Sequence, residues 1–324
     1  MAKILITGVA GFIGSNLAKS LVVQGHQVLG IDSMSASRLP PCRAEMINIL
    51  DGSDLSKCFA AFRPDVVYHL AARTDLLGKS LEDYSANTVG VKNIIAVSSE
   101  CSSVKRVIFA SSRMVCRIDH VPLNYDDYSA PNFYGKSKVE GEKIVKESAV
   151  KFEWVIVRPT SIWGPGFGIP YRNFFDQVRK RRYFHPGNHH PRKSFGYIDN
   201  TVFQLASLME ADASRVNRRT FYLGDYDPLD VCVWADYINV LFGFTGRIPA
   251  VPMPMLRMAG NVGDVFNKLT GKDRAPLTTF RLNNLITDMI YPQLDELKEV
   301  TGPLPFNWQT GTQRTVGWIV AQSV

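Results

Sequence analysis

The chain has 324 residues and a mass of 36.2 kDa, of which 45% are hydrophobic and 21% charged. At about 150 residues per domain this is one large or two modest domains with ample core, which excludes a mainly disordered chain, a collagen and a disulfide miniprotein. The net charge is +7, with 17 basic and 15 acidic residues in 1–150 and 20 and 15 in 151–324. Residues 3–7 read as a short apolar strand, 12–24 as a helix through Ile13, Leu17 and Leu21, and 27–31 as a second strand. A third strand is expected at 45–49, a helix at 53–62, a continuous apolar strand at 65–70 and a long helix at 80–102. A strand at 106–111, a helix at 132–149 and a strand at 154–157 follow. Apolar strands that do not alternate with polar residues, separated by helices, imply a parallel sheet buried on both faces, and right-handed crossovers make it doubly wound.

After Arg158-Pro159 the punctuation changes, with Gly164-Pro165-Gly166 and Pro170 interrupting the chain. A helix is expected at 173–182, a loop at 185–191, a helix after Asp199, a strand at 220–223, and late helices at 256–269, 277–287 and 294–301. The expected organisation is an α/β Rossmann core over 1–163, with 195–225 returning to it, and a smaller mixed substrate-binding region from 164–194 and 226–324.

The first chemical signal is Thr7-Gly8-Val9-Ala10-Gly11-Phe12-Ile13-Gly14, set between a strand and a helix. Glycines there allow a tight turn and close approach of a pyrophosphate, which the helix N-terminus attracts. Asp32, at the end of the second strand, can accept hydrogen bonds from the adenosine ribose hydroxyls and would repel a 2′-phosphate, favouring NAD over NADP; Ser33 and Ser35 follow, with no arginine before Arg38. The second signal is Tyr134-Gly135-Lys136-Ser137-Lys138: Tyr134 and Lys138 stand at i and i+4 on one helix face. An ammonium beside a phenol favours the phenolate and makes it a usable acid/base. Ser112, at the end of the preceding strand, is placed to hydrogen-bond the reacting oxygen.

Together these residues resemble the extended short-chain dehydrogenase/reductase family, in its nucleotide-sugar branch. The resemblance spans 3 to about 223 and rests on T-G-x-x-G-x-x-G as it stands here. It implies that Asn48-Ile49 contact adenine, that Leu70-Ala71-Ala72 and Asn87 border the cofactor, and that Ser112, Tyr134 and Lys138 form the catalytic set. It also implies that Pro159 and Ile162 border the nicotinamide and that Lys193 takes the place of the arginine that meets the substrate diphosphate. Arg281 is a second cationic candidate, and Arg113 a candidate for an acidic or acylated sugar. After Ser111-Ser112 this chain reads Arg113-Met114-Val115-Cys116-Arg117 where the family has x-x-V-Y-G. Arg113 and Met114 replace the Asp-Glu of the 4,6-dehydratases, and neither residue can supply an acid for a departing hydroxyl, which argues against a dehydratase.

The expected function is NAD-dependent hydride transfer at a sugar carbon, C4 of a nucleotide-diphosphate hexose, as an epimerase. A keto-sugar reductase or 3β-hydroxysteroid-type dehydrogenase is the alternative, and a non-catalytic cofactor-binding regulator a third. Seven basic residues from Arg172 to Lys193 accompany only Asp176, a patch suited to a polyanion, an acidic membrane or a phosphorylated small molecule, or else a solvated face. No nucleic-acid module accompanies it. No apolar run reaches the ~18 residues of a membrane span, and no signal-peptide pattern opens the chain, so the expected setting is cytoplasmic. The five cysteines form no C-x-x-C pair, and His189-His190 show no accompanying Cys, Asp or Glu, so neither disulfides nor a metal site is expected. Met253, Met255 and Met258 read as packing or as the lining of a lipid-facing groove. The two long helices suggest a homodimer, since the family often pairs them.

Overall fold

The computed structural model describes residues 1–33, 42–169, 171–271, 275 and 277–322. The chain divides into two compact units: 1–162, 196–226 and 292–307 form the first, and 163–195, 227–291 and 308–324 the second.

The first unit is built on β1 (Lys3–Thr7), β2 (Gln27–Asp32), β3 (Arg43–Met46), β4 (Val66–His69), β5 (Arg106–Ala110), β6 (Glu153–Pro159) and the strand Arg219–Leu223. They form one seven-stranded parallel sheet in which Arg219–Leu223 is followed by β6, β5, β4, β1, β2 and β3. The order reverses between β1 and β4, the place where such sheets bind ligands at their C-terminal ends. The register brings those ends level, with Thr7 opposite both Ile31 and His69, and His69 opposite Phe109. The apolar residues of the inner strands are buried, Ile4, Leu5 and Ile6 completely, because helices cover both faces, whereas Met46 of the edge strand β3 is exposed. Those that position the site are α1 (Phe12–Val23), α2 (Gly52–Phe62), α3 (Ser85–Glu100) and α4 (Phe133–Glu147).

Three boundaries differ from expectation. The third strand ends at Met46 because Asn48–Asp51 turn: Asn48 Oδ1 accepts from Leu50 N at 3.0 Å, and Asp51 then caps α2 through Ser53 N and Asp54 N. The long helix starts only at Ser85, after a short 3-10 turn at Glu82–Tyr84. Residues 292–307, expected in the smaller region, cluster with the sheet instead. Leu294 and Leu297 are buried there, and Asn200 exchanges hydrogen bonds with the backbone of Phe306 (2.9 and 3.1 Å).

The second unit packs Trp163, Phe167, Phe174, Phe175 and Trp234 into an aromatic core, with the Trp163 and Trp234 ring centroids 4.8 Å apart. Trp234 Nε1 donates to Thr312 Oγ1 (2.8 Å), satisfying its one polar atom.

Candidate active site

The glycine turn follows β1. Gly8 has φ +73°, and a Cβ there would lie 2.7 Å from Ala71 N. A Cβ on Gly14 would lie 2.3 Å from Gly8 O, so α1 can start this close to β1 only with glycine. Gly11 is the N-cap of α1, with no side chain capping it. The first N–H groups, of Phe12, Ile13 and Gly14, therefore stand where a pyrophosphate binds a helix N-terminus. Asp32 Oδ2 accepts from Ala10 N (3.0 Å), so the carboxylate also braces the glycine turn. Ser35 and Arg38, which enter the argument against NADP, lie outside the described residues.

On the other side of the reversal, Leu70 N and Ala71 N donate to Thr7 O and Thr7 Oγ1 (3.2 and 3.0 Å), tying Leu70-Ala71-Ala72 to the end of β1. His69 Nδ1 lies 2.9 Å from the same hydroxyl. Burial, assisted by the Lys138 ammonium, pulls the His69 imidazole down to about 3, so it is neutral. Ile49 packs on α3 at Gly90, and Ile49 O accepts from Asn93 Nδ2 (2.9 Å). Asn87 pairs with the backbone of Arg73 in both directions and donates to Ser137 Oγ (2.9 Å), joining α3 to α4. Pro159 ends β6 opposite Leu223, and Ile162 is buried just beyond.

Asn132 caps α4 through Gly135 N (2.8 Å) and so sets where its first turn begins. A Cβ on Gly135 would lie 2.2 Å from Met114 O, so that turn presses directly on the short turn Arg113–Val115. Ser112 caps this turn, accepting from Met114 N at 3.1 Å, which leaves its own proton to donate. Lys138 Nζ donates to Ala110 O (2.9 Å), at the end of β5. Lys138 is thus held at the end of β5, and the turn of α4 that carries Tyr134 packs against the short turn that Ser112 caps. Burial lowers the Lys138 ammonium to about 8, against the opposing charge of Glu142. The unusual Cys116-Arg117 segment holds its own shape, with Arg117 N donating to Ser129 O and Ser129 N to Val115 O (2.9 and 3.0 Å). Arg113 is half-buried, and its Nε is buried with no hydrogen-bond partner among the described residues.

The second unit bears on three expectations. Lys193 is buried, and its ammonium donates to Asn284 O (2.7 Å) and Thr287 O (2.5 Å) at the C-terminal end of the helix Thr279–Ile286. That is a helix cap, favoured by the dipole, rather than a group presented to a diphosphate. The Arg281 guanidinium likewise donates to Ala275 O. His190 does have company: Asp230 and Cys232 bring ligand-type atoms within 4.8 Å of it and of one another. Asp230 Oδ2 meets His190 Nδ1 at 3.0 Å while Oδ1 caps the helix Val231–Leu241, so Asp230 is engaged as a helix cap and as the hydrogen-bond partner of His190.

Sequence reasoning missed the support behind the site. Glu142, one turn beyond Lys138, accepts Arg158 Nε and Nη2 (2.8 and 2.7 Å), Ser111 Oγ (2.5 Å) and Tyr128 OH (2.9 Å). Both members of this ion pair are fully buried, and the Arg158 guanidinium lies over the rings of Tyr125, Tyr128 and Tyr222. The available signal was the i+4 step from Lys138 to a carboxylate on the same helix face.

A doubly wound sheet with a glycine turn at its reversal and a Tyr-x-x-x-Lys helix beside the end of β5 defines a dinucleotide-dependent oxidoreductase. Residues 4–224 match the NAD dependent epimerase/dehydratase family, and the chain belongs to that family, within the extended short-chain dehydrogenases/reductases. NAD is its cofactor, and the glycine cradle and Asp32 fit it. The chain is 28% identical to UDP-glucose 4-epimerase of Yersinia enterocolitica, over 94% of this chain and 84% of that one. It is 25% identical to 2-alkyl-3-oxoalkanoate reductase of Stenotrophomonas maltophilia (strain K279a), over 89% and 91%. Among solved structures, Bordetella bronchiseptica WbmG in complex with NAD and UDP shares the fold with a TM-score of 0.72, at 22% identity over 100% of this chain and 96% of that one.

Proposed function

We propose that this enzyme oxidises a secondary hydroxyl, at C4 of a nucleotide-diphosphate hexose, to a ketone and reduces that ketone on its other face, as an epimerase. The observation that supports this reading is the first turn of α4 packed against the turn that Ser112 caps, with the buried Lys138 donating to Ala110 O at the end of β5. NAD, when bound, supplies the acceptor and then the donor of hydride. Tyr134 takes the hydroxyl proton as base and returns it as acid. Lys138 biases Tyr134 toward phenolate through its positive charge and offers the cofactor ribose its remaining N–H donors. Ser112 donates its free proton to the reacting oxygen, and the half-buried Arg113 beside it offers its guanidinium to an acidic or acylated group of the sugar. Two copies pairing through α3 and α4 belong to the same reading.

Similarity to the Stenotrophomonas enzyme favours one rival, a carbonyl reductase. A panel of nucleotide sugars, followed by mass spectrometry and chromatography with and without added NADH, separates the two. An epimerase interconverts sugars with catalytic NAD, whereas stoichiometric NADH oxidation with a ketone substrate would replace the epimerase reading. Because the ammonium is required, kcat/KM should fall as pH rises through about 8, where Lys138 loses its proton in the folded protein. In Lys138→Arg, that alkaline limb should move upward or disappear.

A further inference from the structure

The helix Met253–Thr270 has three faces. Leu256, Gly260 and Gly263 are buried, and the helix Thr279–Ile286 packs against it; a Cβ on Gly263 would lie 1.8 Å from Leu277 O, just before that helix. The second face is polar and carries Arg257, Asn261, Asp264 and Lys268. The third is apolar and open: Met255, Met258, Val262, Val265, Phe266 and Leu269 are 49% to 82% exposed. They recur at i, i+3, i+7, i+10, i+11 and i+14, a single stripe on an α-helix. Phe280, 74% exposed on the neighbouring helix, adds to the exposed apolar surface. Scattered exposed apolar residues need no explanation, but a contiguous stripe beside polar residues marks an interaction surface.

Charge identifies what it meets. The first unit carries 23 Lys and Arg against 23 Asp and Glu, whereas the second carries 14 against 7, so the whole +7 lies on the unit that bears the stripe. The only acid of the helix, Asp264, accepts from Thr279 N and is engaged in capping the next helix. Arg257 and Lys268 are left as the charges flanking the stripe. A second copy brought to this face would set two cationic units together, whereas an anionic surface is attracted. No helix among the described residues is long and apolar enough to cross a membrane, so the contact is one of lying on the surface.

We propose that the helix Met253–Thr270 docks this enzyme on an anionic lipid bilayer, with its apolar stripe in the headgroup region and Arg257 and Lys268 on the phosphates. The test is co-sedimentation of the full chain, loaded with NAD, with vesicles of phosphatidylglycerol and phosphatidylcholine in equal parts or of phosphatidylcholine alone. Wild type should pellet with the acidic vesicles and be released by salt, and Val262→Glu/Leu269→Glu should bind about tenfold less. Both positions are exposed, so the variant should keep its circular dichroism spectrum and its bound NAD. Wild type left in the supernatant with acidic vesicles overturns the proposal, as does a folded variant that pellets equally. A dimer that the variant dissolves, without vesicle binding by wild type, would assign the stripe to a second copy instead. None of these outcomes bears on the epimerase reading, which the nucleotide-sugar panel tests separately.

Discussion

Tyr134→Phe is expected to lower kcat by about 10²- to 10⁴-fold, the usual contribution of a positioned acid/base, while leaving NAD bound. The substitution removes one oxygen from a buried ring packed at 6.1 Å from Tyr84, so the packing that sets α4 against the Ser112 turn survives. The groups proposed to hold NAD, the glycine turn, Asp32 and Lys138, are untouched by the change. Steady-state kinetics on the substrate found in the panel, with cofactor content measured in the same preparation, checks both halves. Full activity with NAD bound would take the proton-transfer role away from Tyr134 and leave hydride transfer without an assigned base.

Glu142→Ala is expected to cost about 3–5 kcal/mol of folding stability, the range for breaking a buried ion pair from one side. Arg158 would keep Tyr125 O at 2.6 Å and Tyr222 OH at 3.2 Å, together with the three aromatic faces, but its charge would have no carboxylate. Ser111 Oγ would lose its acceptor next to Ser112. Urea unfolding of the variant measures the loss, and one below about 1 kcal/mol would mean that the pair behaves like an exposed one. Glu142→Gln keeps the shape and removes the charge that opposes the lowering of Lys138. Its alkaline limb in kcat/KM should therefore move to lower pH. That shift reports on the Lys138 proton and would not follow from lost packing alone.

Much of the site could be read without coordinates because its chemistry is local in sequence. Gly8, Gly11 and Gly14 are demanded by a turn and a helix start only seven residues long, and the buried strands declare themselves as unbroken apolar runs. Tyr134 and Lys138 share a face because an α-helix repeats about every four residues. Ser112 joins that reading through its place at the end of the preceding strand and through the family resemblance, and Gly135 lies against Met114 O in the turn that Ser112 caps. Other features were decided by contacts between residues far apart in the chain. Lys193 reads as a free cation until Asn284 and Thr287 are seen to bring a helix end onto it, 91 and 94 residues away. Arg158 finds Glu142 only once β6 lies beside β5 and α4, and 292–307 return to the sheet unit to bury Leu294 and Leu297. The sequence by itself determined the doubly wound core and set a phenol and an ammonium one helical turn apart, since short-range spacing encodes turns, strands and helix faces. Only the tertiary structure decided which charges are consumed inside the protein and which apolar residues face outward, because burial depends on segments meeting across the fold.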